Sequence, residues 1–137
     1  MQTATIRWAG GEKFVAVMPS GQSIQFDAGS THADGPGPME TLLGALGACT
    51  AVDVAMILAK KRQKLESLEV IVSGERAPSP PEVWTKVEML YRLTGNLDEK
   101  AVRDAISLSQ GKYCSVAAMV GKTAKISYRH EIVPRKP

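Results

Sequence analysis

GPGPMETLLGALGACTAVDVAMILAKKR, residues 35–62, is the stretch whose reading decides the fold. After its Gly/Pro opening, Leu42 to Ala59 gives eighteen residues whose only charge is Asp53. Apolar or small side chains occupy every face of the implied helix, so nothing marks a solvent side. A helix of that kind is covered by protein or by lipid. Eighteen residues is near the lower limit for a membrane span, and Lys60, Lys61, Arg62 and Lys64 could flank one. Asp53 argues against it, because a carboxylate near the centre of a span costs at least about 2.5 kcal/mol. The stretch reads as the buried central helix of a soluble protein, and no membrane partner is expected.

The surrounding chain supplies strands that need such a helix as a cover. Ala4, Ile6 and Trp8 alternate with Thr3, Thr5 and Arg7, which is the period of a half-buried strand. Lys13 to Met18 and Ser23 to Asp27 follow after turn residues, so residues 1–28 read as a three-stranded antiparallel meander. A Gly/Pro-rich loop, Ala28 to Pro38, leads to a helix expected over about 39–63, with Glu40 in its first turn. A second hairpin is expected over 67–93. Asn96 with Glu99 resembles a capping box, opening a helix to about Gln110. A short apolar segment, Val116 to Val120, and a last strand, Thr123 to Val133, complete one domain over 1–137, with a short tail from Pro134. The class is α+β, antiparallel sheets around one long helix.

Composition removes several functions. A net charge of +3 over 137 residues, with acidic and basic residues interspersed, offers no phosphate-tracking stripe, so no nucleic acid partner is expected. MQTATIRWAGG has no basic segment followed by an apolar run, which reads as no signal peptide and a cytoplasmic protein.

Chemistry is then sought at the two cysteines, Cys49 and Cys114, 65 residues apart without CxxC spacing. Cys49 lies mid-helix, where burial would make a thiol inert and Asp53, one turn on, would oppose a thiolate. Glu40, nine residues back, falls on the opposite side of an ideal helix. Cys114 has the better local setting, following Lys112 and preceding a short helix. Small neighbours around both, LGALGACTA and KYCSVAA, would allow close approach. Two inert buried thiols remain an equal reading on these grounds. His32 and His130 complete the reactive set, but no Cys/His pair has ligand spacing, and no metal is expected. His130 reads as a hydrogen-bonded core histidine, and His32 sits in the loop.

PMETLLGALGACTAVD, YCSVAAMVGKT and the order of elements together resemble the OsmC/Ohr family over nearly the whole chain. The resemblance implies an intertwined homodimer with long helices packed beneath sheets from both chains. It further implies a thiol-dependent peroxidase of oxidative-stress defence that reduces small organic hydroperoxides. Cys49 would be the peroxidatic and Cys114 the resolving cysteine, Glu40 would be the assisting glutamate, and the reductant an external dihydrolipoyl-type dithiol with no bound cofactor. Two positions depart from the hydroperoxide branch. Its hairpin arginine is replaced in AGGEKF, where Glu12 stands with Lys13 next, and Met39 follows Pro38 where that branch has its glutamate. Arg7, Arg103 and Arg129 are the candidate substitutes. These departures resemble the less characterised OsmC-like branch, for which the alternative is a non-catalytic or redox-responsive binder of small apolar ligands.

Overall fold

A computed structural model describes residues 1–134; the last three positions of the expected 1–137 span lie outside the described residues. The chain divides into two compact units, with the boundary after Leu42. In the first unit, β1 (Thr5–Trp8), β2 (Lys13–Val17) and β3 (Ser23–Asp27) form an antiparallel sheet in that order. Trp8 pairs with Phe14 and Lys13 with Asp27 across the two ladders. After β3 the chain folds around Asp27, whose carboxylate accepts the amides of Gly29 (2.9 Å) and Asp34 (3.1 Å). Those two amides, chiefly Gly29, hold the Asp27 carboxyl below its ordinary range. His32 bonds back to the Asp27 carbonyl at 2.6 Å, so this loop histidine is a structural brace.

The helix α1 (Pro38–Lys60) begins with a reciprocal cap. Glu40 Oε1 accepts the Gly37 amide at 3.1 Å and Thr41 Oγ1 donates to the Gly37 carbonyl at 2.7 Å, while Pro38 fits the first helical position. Among the described residues, the buried positions of α1 follow one side of the helix. Leu46, Gly47, Thr50, Val54 and Leu58 are buried, whereas Leu42, Val52 and Met56 are exposed. A composition that is apolar all round cannot specify which side its own chain covers.

The second unit holds β4 (Ser67–Arg76), β5 (Trp84–Thr94) and β6 (Lys125–Val133), in the spatial order β4-β5-β6. β4 and β5 are an antiparallel hairpin, and β6 joins β5 in parallel. This one departure from an all-antiparallel plan has a physical cause. Between β5 and β6 lie two helices, and a long crossover returns the strand in the same direction where a tight turn would reverse it. Val87, Met89, Tyr91 and Leu93 of β5 point inward at period two. A register shift at Glu75/Arg76 brings even-numbered Trp84, paired with Arg76, onto the same side, and its ring lies so close to Gly74 that only glycine fits there. A Cβ on Gly74 would lie 2.7 Å from the Trp84 ring.

The crossover contains α2 (Glu99–Leu108), a π-helical turn (Ser109–Tyr113) and α3 (Ser115–Val120). The N-cap of α2 is Asp98, accepting the Ala101 amide at 2.9 Å, in place of the expected Asn96. The Asp98 amide is in turn held by Gln63 at 2.8 Å, which fixes the helix start two residues later than the Asn/Glu spacing implies. Val102, Ala105 and Ile106 bury the inner face of α2. His130 of β6 bonds Glu99 of the same helix at 2.7 Å, tying β6 to α2; it is hydrogen-bonded as expected but half-buried, not a core histidine, because its partner Glu99 is exposed.

Candidate functional site

Cys49, Asp53 and Cys114 come together: the two sulfurs and a carboxylate oxygen all lie within 4.8 Å of one another. Cys49 and Asp53 are four residues apart on α1, so both side chains leave one face of the helix. Cys114 arrives from across the crossover as the N-cap of α3, its sulfur accepting the Ala117 amide at 3.4 Å. Both cysteines are free thiols.

The two thiols differ in exposure, and Cys49 is less enclosed than its place in the helix implied. Cys49, placed mid-helix in the most apolar stretch, is half-buried, and Cys114 is 3% exposed. Burial accordingly pushes the Cys114 thiol up to about 11. Its hydrogen bond with Cys49 acts in the same direction, as do the charges of Cys49 and Asp53, with the Ala117 amide opposing them. The favourable thiolate setting read for Cys114 from Lys112 is therefore absent. Desolvation outweighs the amide, and the Lys112 ammonium lies over the Tyr113 ring, 5.2 Å from its centroid.

Beneath the pair runs a line of buried hydroxyls that the sequence reading missed. Gln110 Nε2 donates to Tyr91 Oη (2.5 Å), Tyr91 meets Thr50 Oγ1 (2.7 Å), Thr50 meets Ser109 Oγ (2.7 Å), and Ser109 donates to Asp53 Oδ2 (2.8 Å). Each hydroxyl has one proton to give, so the carboxylate at the end fixes the direction of the line. Ser109 donates to Asp53, hence Thr50 donates to Ser109 and Tyr91 to Thr50. Aligned bonds of this kind polarise one another towards the terminal acceptor. Burial also raises the Tyr91 hydroxyl above its usual value, so the phenol stays protonated as a donor. One signal in the sequence pointed here: Asp53 is the sole charge between Leu42 and Ala59 and lies one turn from Cys49.

The remaining candidates are positioned elsewhere. Glu40 caps the start of α1 through Gly37 and is not one of the three clustered donors. Arg7 is exposed on β1, Arg103 is exposed on α2, and Arg129 pairs with Glu131 at 3.5 Å. His32 and His130 each have a structural partner, as described above.

Comparison with known proteins agrees with this architecture. The family profile of OsmC-like proteins matches residues 31–129. Protein YhfA of Escherichia coli K12 is 38% identical over 131 residues, spanning 95% of this chain and 97% of that protein. The crystal structure of a hypothetical protein from Aquifex aeolicus VF5 superposes with a TM-score of 0.89 at 30% identity, covering 99% and 98% of the two chains. The organic hydroperoxide resistance protein OhrB of Bacillus subtilis shares the fold, with a TM-score of 0.66 at 13% identity over 96% and 98% of the chains. A family match over most of the chain, a relative of full length, and a pair of facing thiols on the expected elements lead to one conclusion: this chain belongs to the OsmC-like protein family.

Proposed function

We propose that the chain is a thiol-dependent peroxidase for small organic hydroperoxides, working through Cys49 and Cys114. The observation that carries this reading is the sulfur pair itself, within 4.8 Å, one member half-buried and the other almost fully enclosed. An attacking sulfur has to meet substrate, and a resolving sulfur has to wait as a thiol. The exposures of Cys49 and Cys114 support those two roles in that order.

In the proposed reaction the Cys49 thiolate attacks the outer oxygen of the hydroperoxide. The O–O bond breaks, the alcohol leaves with a proton, and Cys49 becomes a sulfenic acid. The Cys114 sulfur then displaces hydroxide from it, releasing water and closing a disulfide. The two sulfurs must draw in to about 2.05 Å for that bond. An external dithiol of the dihydrolipoyl kind returns both thiols by exchange, in a cytoplasm whose thiol pool keeps such pairs reduced.

The protein would act as a homodimer, with a second copy covering Leu42, Val52 and Met56 along α1, exposed by 38%, 61% and 56%. The assisting role implied for Glu40 remains part of this reading, its carboxylate being held at the start of α1 by the Gly37 amide. A second reading, a binder of small apolar ligands, draws on a groove of about 400 Å³ between α1 and β4. Leu43, Gly47, Ala51, Val70 and Val72 line it.

Cumene hydroperoxide supplied with a dithiol separates the two readings. The wild type should consume peroxide and Cys49→Ser should lose at least about a thousandfold in rate, while Cys114→Ser, given peroxide without the dithiol, should react once and stop with a trappable sulfenic acid. Turnover that survives Cys49→Ser, or its absence from the wild type, would overturn the peroxidase reading. Saturable binding of the peroxide without its consumption would favour the groove.

A further inference from the structure

The cluster is unusual in what it combines: two sulfurs and a carboxylate oxygen, mutually within 4.8 Å, from residues 49, 53 and 114. We propose that in the reduced protein Cys49, Asp53 and Cys114 bind one thiophilic divalent cation of the zinc class. This goes beyond the peroxidase reading and does not rest on it, because it uses the geometry of the donors and no peroxide chemistry.

Four-coordinate zinc holds sulfur at about 2.3 Å and carboxylate oxygen at about 2.0–2.2 Å, which places neighbouring donors about 3.5–3.8 Å apart. From separations of at most 4.8 Å, each pair closes by about an ångström or less, within the reach of side-chain rotation. Two of the ligands lie one turn apart on one helix, and the third comes from a different element, so the cation would be gripped from two sides. Two sulfurs with one oxygen suit zinc and exclude the oxygen-seeking calcium and magnesium. Three protein ligands leave one position for water or a small anion. Cys49 and Asp53 are both half-buried, which keeps a way in from solvent.

The second observation is the support behind the carboxylate. Metal-ligating carboxylates are themselves held by hydrogen bonds that fix their orientation. Asp53 Oδ2 receives the end of a line of four polar side chains, Gln110, Tyr91, Thr50 and Ser109, the last of them at 2.8 Å. Thr50 and Ser109 have no solvent exposure. A surface carboxylate needs no such backing. Here it pre-sets one ligand.

Binding needs no oxidant: the cation displaces the protons of both thiols, two protons leave to solvent, and two metal–sulfur bonds form. A capped pair has no free thiolate and cannot reduce peroxide. The cation and the disulfide are therefore mutually exclusive occupants of the same two sulfurs.

The test uses Co2+ as a spectroscopic probe on reduced protein under anaerobic conditions, followed by displacement with Zn2+. One Co2+ per chain should give sulfur-to-cobalt charge transfer and the visible bands of a four-coordinate ion, bleached by Zn2+. Asp53→Asn should weaken binding at least about tenfold with the charge transfer retained, and Ser109→Ala about tenfold. Protein oxidised with diamide to the Cys49–Cys114 disulfide should bind none, a comparison that decides the matter even if a variant fails to fold. No charge transfer in the reduced wild type, or an affinity unchanged by Asp53→Asn or by oxidation, would overturn the site. Peroxide turnover without Co2+ binding sinks this proposal alone, and Co2+ binding without turnover sinks only the peroxidase reading.

Discussion

Along one side of α1, Leu46, Thr50, Val54 and Leu58 have no solvent exposure, whereas elsewhere on the same helix Leu42, Val52 and Met56 are exposed by 38%, 61% and 56%. The two sides have nearly the same apolar character. What separates them is the partner each meets. The covered side lies against β4 and β5, with Gly47 so close to Val72 that an added Cβ would sit 3.1 Å from its methyl group. The uncovered side is exposed at Leu42, Val52 and Met56 among the described residues. Cys49 and Asp53 are half-buried, next to the enclosed Cys114 and still reachable from outside.

The comparison is broken most forcefully from the covered side. Leu58→Ala removes a fully buried side chain and should cost about 2–5 kcal/mol of stability, read as a lower urea midpoint at unchanged slope. A loss below about 1 kcal/mol would mean that the helix is not packed where it is placed.

The site itself responds to alkali. Cys114 is held as a neutral thiol, with a value of about 11 against an ordinary 9.0. The folded state therefore binds this proton more tightly than the unfolded chain. That contribution is complete below about pH 9 and is lost as pH rises through 11. Reduced protein should lose at most about 2–3 kcal/mol across this window, and Cys114→Ala should flatten the decline. Equal declines in the two proteins would show that the thiol is not enclosed.

The smallest effect on the chain's own packing belongs to the uncovered side. Val52→Asp should change the stability of the isolated chain by no more than about 0.5 kcal/mol. Its effect should be on assembly, converting a dimer to a monomer in sedimentation while leaving the far-UV spectrum intact. A variant that remains dimeric would move the proposed interface off this side of α1.

Much of the fold was legible because period-two strands and an uninterrupted apolar helix are strong patterns. Val87 to Leu93 and Leu42 to Ala59 carry them plainly, whereas Ala4 to Trp8 gave the strand but not its half-burial, since β1 is exposed along its whole length. The direction of β6 was not legible, since strand residues look the same in parallel and antiparallel ladders and the crossover length decides. The cap of α2 was misplaced because Asn96 and Asp98 are both good caps, and the choice between them is made by Gln63, a residue from a different segment.

At the site, the nomination of two cysteines from the sequence stands beside their observed proximity, but the thiolate setting read for Cys114 is not found and Cys49 is only half-buried. A run of small residues around Cys49 shows that neighbours can approach, without showing from which side they do. The hydroxyl line was invisible for the same reason. Thr50, Tyr91, Ser109 and Gln110 come from three elements, and none is conspicuous in its own segment.

The π-helical turn at Ser109–Tyr113 has an effect out of proportion to its five residues. An ordinary helix would advance each side chain by about 100° and carry α2 straight on into α3 as one rod. The wider turn adds a residue to the winding and so resets the angular phase midway. Before the reset, Ser109 is turned inward to Thr50 and Asp53; after it, Cys114 leaves the helical track and starts a new helix with its sulfur toward Cys49. A single surplus residue thus acts as a vernier, bringing two side chains five positions apart to bear on one point.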